Sequence, residues 1–160
     1  MAEDIKTILF VEDSEVEMLA YKSMLERAGY CVQTAKDGLE GMRVLHNIVP
    51  DLVLLDLMLP RFDGVEVLKF IRSNERLKTV PVIIFSTNSI IDSQDEPLLA
   101  GATKRLLKSQ CSPPIMLLAI REALASKAAA KTAGKTPAKT VSDIDYEPNT
   151  AQRAEAALAD

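Results

Sequence analysis

Short apolar runs without polar alternation recur along the chain at Ile8 to Val11, Leu52 to Leu55 and Val82 to Phe85, with weaker runs at Cys31 to Thr34 and Leu106-Leu107. Runs of that length suit strands covered on both faces. Between them the apolar positions fall at helical spacing, as in Met18, Leu19, Met24 and Leu25 ahead of Gly29, and Val65, Leu68, Phe70 and Ile71 ahead of Ser73-Asn74. Gly29 sits where a helix C-terminal glycine belongs, and Ser14, Asp37, Asp63 and Ser112, the last followed by Pro113, stand near the starts of successive helices. The alternation makes five βα units, which predicts an α/β fold: a doubly wound parallel sheet with helices on both faces.

The fourth helical segment, Ser89 to Ala100, carries Asp92, Asp95, Glu96 and an internal Pro97, and is expected to be short or kinked. The fifth is expected from Pro113, turning Ile115, Leu117, Leu118, Ile120 and Leu124 toward the sheet. Near Ser126 the composition changes to SKAAAKTAGKTPAKT, where lysines recur every four residues until Gly134 and Pro137 interrupt the pattern. The expected division is a domain over residues 1–125, then a flexible Ala/Lys-rich linker and acidic C-terminal tail over residues 126–160.

A length of 160 residues fits one domain with a full core and a modest appendage. With 19 basic against 23 acidic residues, nothing draws the chain toward nucleic acid or anionic lipid. The N-terminus has no secretory pattern and no apolar run approaches membrane-spanning length, so a cytoplasmic protein without a membrane partner is expected. Cys31 and Cys111 lack metal-ligand spacing and are expected to be reduced, partly buried thiols. His46, the single histidine, is expected at the surface, and the methionines at 18, 24, 42, 58 and 116 are expected to serve packing.

In an open parallel sheet, ligands bind beyond the carboxyl ends of the strands. The first strand ends in Glu12-Asp13, the third in Asp56, the fourth in Ser86-Thr87 and the fifth at Lys108, so three acids, hydroxyls and an ammonium converge on one edge. Asp56 lies inside the apolar stretch LVLLDLML, where an unpaired carboxylate is costly and a cation or polar pocket must meet it. Oxygen-rich surroundings suit Mg²⁺, which takes one or two carboxylates together with a phosphate oxygen. A carboxylate such as Asp56 can then act as a nucleophile and hold a phosphoryl group as an acyl phosphate. Lys108 would supply charge and Ser86 a hydroxyl to the phosphoryl oxygens.

With those residues in order, residues 5 to about 125 resemble a response regulator receiver domain. The resemblance rests on Glu12-Asp13, the acceptor in LLDLMLP, the Asp63-Gly64 turn, the hydroxyl in IIFST, the Gly101-Ala102 pair and Lys108. It implies a flavodoxin-like sheet of order 2-1-3-4-5 flanked by five helices. It also implies that Glu12, Asp13 and Asp56 bind Mg²⁺, with the backbone carbonyl of Met58 completing the protein ligands. Asp56 would receive the phosphoryl from a histidine kinase or histidine phosphotransfer protein, and Ser86 and Lys108 would sense it, moving the surface of the fourth helix, fifth strand and fifth helix.

The chain departs from the family where an aromatic residue usually stands, here Arg105, and where a proline usually follows the lysine, here Ser109. A guanidinium is expected to stay outside. A cis bond before Ser109 would cost about 3 kcal/mol, which favours trans. Met58 cannot orient a water, which implies a long-lived phosphoryl state. The leading expectation is a stand-alone receiver, monomeric or weakly dimeric, that signals through protein contacts. A pseudo-receiver binding its partner without phosphorylation is the alternative. A phosphatase of the haloacid dehalogenase type is disfavoured because Met58 stands where its second acid belongs.

Overall fold

The computed structural model describes residues 4–87 and 100–132. Five strands, β1 (Thr7–Val11), β2 (Cys31–Ala35), β3 (Leu52–Leu55), β4 (Val82–Ser86) and β5 (Lys104–Leu107), form one parallel sheet of order β2-β1-β3-β4-β5. Among the described residues the helices are α1 (Glu15–Arg27), α2 (Gly38–Asn47), α3 (Gly64–Ser73) and α4 (Pro113–Thr132). The helix expected from Ser89, with its Pro97, lies outside the described residues.

Side chains alternate across each strand, so the sheet has two separate apolar faces. Leu9, Val11, Val53, Leu55, Val82 and Ile84 pack with Leu45 of α2 and with Val67, Leu68 and Ile71 of α3. Ile8, Phe10, Leu52, Leu54, Ile83 and Phe85 pack on the other side with Leu25 of α1 and with Met116, Ala119, Ile120 and Ala123 of α4. Both faces are thereby covered, which is why β1, β3 and β4 read as unbroken apolar runs.

The helix signals act where the sequence places them. Ser14 accepts from the Glu17 amide, Asp37 from the Glu40 amide, and Asp63 forms a capping box with Glu66. Gly29, at φ 99°, ends α1: its own amide bonds the Glu26 carbonyl and the Tyr30 amide bonds the Leu25 carbonyl, a Schellman closure. α4 runs from Pro113 to Thr132 and so includes the first alanines and lysines of the segment expected as a linker, both strong helix formers.

Candidate functional site

The sheet itself brings the chemistry-bearing residues together. In the β1–β3 register Val11 faces Leu55, so the next residues along each strand, Glu12 and Asp56, leave the sheet side by side. Two further backbone bonds hold this edge: the Asp56 amide donates to the Val11 carbonyl at 3.1 Å, and the Glu12 amide to the Ala35 carbonyl at 3.0 Å. On the other flank Ser86 pairs with Leu107, which delivers Lys108 from the end of β5. Gly64 lets α3 start directly against this edge, since a Cβ there would run into the Asp56 carbonyl and lie 2.7 Å from Leu57 Cα.

The Lys108 ammonium is the hub. Its Nζ lies 2.6 Å from Glu12 Oε2, 2.5 Å from Glu17 Oε2 and 3.3 Å from Asp56 Oδ2, and it stands 5.2 Å over the centroid of the Phe85 ring. Glu12 and Asp56 are buried, Asp56 at 4% exposure. The second oxygen of each carboxylate is held by backbone: Glu12 Oε1 accepts from the Ser14 amide at 3.0 Å, and Asp56 Oδ1 from the Met58 amide at 3.1 Å. Beneath the lysine, Tyr21 makes edge contacts with Phe10 and Phe85.

Burial raises Glu12 to about 7, and the Asp56 charge adds to the rise; hydrogen bonds from Lys108 and the Ser14 amide oppose it. Burial alone would lower Lys108, but its hydrogen bonds to Glu12 and Glu17 outweigh it and raise its pKa, so the ammonium stays charged throughout the ordinary pH range. Glu12, Asp13 and Asp56 each offer a carboxylate oxygen, and these lie within 4.8 Å of one another. An all-oxygen set at that spacing, open to solvent through the exposed Asp13, fits a hard divalent cation.

The residues singled out from sequence thus fall into groups. Glu12, Asp56 and Lys108 touch directly, Asp13 stands within reach of both acids, and Ser86 is fully buried at the end of β4. Met58 is 55% exposed, with its amide on Asp56. Arg105 is half-buried on β5, paired with Ile84, rather than wholly outside. Ser109 lies in a 3₁₀ turn, Lys108–Gln110, and no cis peptide occurs among the described residues. His46 is exposed as expected, but Cys31 is exposed rather than partly buried, because β2 is an edge strand and alternates in burial.

Two residues were missed by sequence reasoning. Glu17 reaches Lys108 from the first turn of α1, and its position one helical turn beyond Asp13 was the available signal. Arg72, at the end of α3, donates from Nε to the Gly101 carbonyl at 2.7 Å and from Nη1 to the carbonyls of Lys78 and Val80 at 3.1 and 2.7 Å. It fastens the turn that leads into β5.

Comparison with known proteins agrees with this arrangement. The family model for the response regulator receiver domain matches residues 8–134. The polar-differentiation response regulator DivK of Brucella ovis is 29% identical over 119 residues, covering 74% of this chain and 96% of that relative. Among solved structures, the chemotaxis response regulator CheY4 of Vibrio cholerae superposes with a TM-score of 0.69 at 27% identity, covering 75% of this chain and 99% of that one. The receiver domain of a sensor histidine kinase from Pseudomonas aeruginosa, solved with a magnesium ion coordinated in its active-site cleft, gives 0.70 at 27% identity, covering 76% of this chain and 99% of that one.

Proposed function

This chain belongs to the response regulator receiver family, and on that premise we propose that it accepts a phosphoryl group on Asp56 from a histidine kinase or histidine phosphotransfer protein and signals through protein contacts. The observation that carries the reading is the meeting of the Glu12, Asp13 and Asp56 carboxylates with the Lys108 ammonium at one end of the sheet.

In this reading Glu12, Asp13 and Asp56 hold Mg²⁺, with the Met58 backbone carbonyl as a further ligand. The cation, when bound, neutralises negative charge as the phosphoryl group approaches. Asp56 attacks phosphorus: its carboxylate oxygen gains the P–O bond while the P–N bond of the phosphohistidine breaks, its electron pair returning to the imidazole. Lys108 and the Ser86 hydroxyl then bind phosphoryl oxygens. The Met58 amide, already on Asp56 Oδ1, holds the nucleophile's orientation. The exposed Met58 side chain brings no group that orients an attacking water, which favours a slow return to the free carboxylate. Exposed Val16 and Leu19 lie one turn apart on α1, beside the acid pair, and supply an apolar rim that a phosphoryl donor protein can cover.

The test is incubation with Mg²⁺ and acetyl phosphate, followed by intact mass. Wild type is expected to gain one phosphoryl group and Asp56→Asn none. Labelling retained in Asp56→Asn would sink the site assignment, and wild type unlabelled by acetyl phosphate and by a panel of histidine kinases would favour a pseudo-receiver.

A further inference from the structure

An ammonium has three protons to donate, and in Lys108 all three face carboxylates: those of Glu12, Glu17 and Asp56. The three acceptors are not equivalent. Glu12 and Asp56 belong to the trio whose oxygens converge within 4.8 Å, whereas Glu17 stands outside it. Glu17 is also the most accessible partner, its side chain 38% exposed against 1% for Glu12 and 6% for Asp56, and it sits on α1, a different element from either buried acid. A cation held by Glu12, Asp13 and Asp56 draws those charges to itself but leaves the Glu17 carboxylate on the lysine.

We infer that Glu17 is a positioning residue for Lys108, a resting-state ion-pair partner that competes with the incoming phosphoryl group for the ammonium and so sets how readily the site is occupied. The inference rests on the receiver reading and concerns the regulation of that same site. Two effects act in one direction. Glu17 holds Lys108 toward α1 at 2.5 Å, nearer than Asp56 at 3.3 Å, and its negative charge repels a phosphoryl group arriving at Asp56. Release of Lys108 from Glu17 also frees the first turn of α1 from the end of β5, a link that spans 91 residues of sequence.

The experiment compares wild type, Glu17→Gln and Glu17→Ala with two readouts. The first is affinity for beryllofluoride, a phosphoryl mimic, followed by ¹⁹F NMR at saturating Mg²⁺. Both variants are expected to bind it about three- to fivefold tighter, the size of one partly exposed ion pair. Their Mg²⁺ affinity in the absence of beryllofluoride should move the opposite way, because a nearby negative charge is gone. A disturbance of packing would weaken both ligands together. The second readout is proton exchange of the Lys108 ammonium by ¹H–¹⁵N NMR in metal-free protein, expected to be several-fold faster in Glu17→Ala. Unchanged or weaker beryllofluoride binding, or unchanged ammonium exchange, overturns the inference. Wild type that takes neither beryllofluoride nor phosphoryl overturns the receiver reading, while the ammonium exchange still decides whether Glu17 restrains Lys108.

Discussion

Lys108 Nζ lies 2.6 Å from Glu12 Oε2 and 3.3 Å from Asp56 Oδ2, so the ammonium is committed to Glu12 more closely than to Asp56 beside it. Two buried carboxylates at the edge of an apolar sheet are tolerated because one ammonium serves both.

Removing that ammonium should therefore destabilise the fold. Lys108→Met is expected to cost about 3 kcal/mol at pH 8 in metal-free buffer, the range for a buried pair that loses one partner. The cost should shrink at pH 5, where Glu12 takes a proton and no longer needs a counter-charge. Urea denaturation at the two pH values measures it, and an equal loss at both would show that the lysine stabilises by packing alone.

In the proposed Mg²⁺ site, Glu12 should make cation binding depend on pH. Burial first, then the Asp56 charge, raises its pKa from 4.5 to about 7 in the folded chain. A raised folded pKa adds stability below the unfolded value, and this is lost as pH rises through about 7. In the metal-free protein this group should lower stability progressively over that interval. A cation held there would have to displace the Glu12 proton, so Mg²⁺ affinity should be about tenfold weaker at pH 6 than at pH 8. Calorimetric titration at both pH values checks it, together with the proton release in buffers of different ionisation enthalpy. In Glu12→Gln the proton release should disappear.

Arg72 clasps three backbone carbonyls, those of Gly101, Lys78 and Val80. Arg72→Ala is expected to lose about 3 kcal/mol, since hydrogen bonds from a charged donor are stronger than neutral ones and the carbonyls are left without it. Arg72→Lys should recover less than half, because a single ammonium cannot replace the fork of a guanidinium. Denaturant midpoints of the three proteins decide the order. Full recovery by lysine would mean that charge matters here and geometry does not.

The two thiols should differ sharply in reactivity. Cys31 is exposed on the edge strand, whereas burial pushes the Cys111 thiol up to about 11. Iodoacetamide at pH 8 is expected to modify Cys31 first, with Cys111 at least about tenfold slower until urea unfolds the chain. Peptide mapping over time measures both rates.

The sheet was legible because β1, β3 and β4 are buried on both faces and the helices carry ordinary caps: Ser14, Asp37 and Asp63 each bond the amide expected of them. The acids and the lysine were legible because a parallel sheet aligns its strand ends, so position after an apolar run is enough to place Glu12, Asp56 and Lys108 together. Glu17 was not legible as a partner of Lys108. An acid in the first turn of a helix already has a local explanation in the helix dipole, and the contact crosses 91 residues. Arg72 was hidden in the same way, because backbone carbonyls leave no trace in the sequence. The exposure of Cys31 follows from strand order, which puts β2 at the rim, and local composition does not carry that order.

The distance along the chain between Glu12 and Lys108, 96 residues, also bears on how the protein comes into being. During synthesis β1 and β3, with Glu12 and Asp56 at their ends, emerge before the lysine that meets both acids. A nascent chain that ends short of Lys108 has apolar strands ready to collapse and two carboxylates that oppose burial at their shared edge. The edge around Glu12 and Asp56 is therefore expected to close last, once Lys108 has been made and can reach both carboxylates.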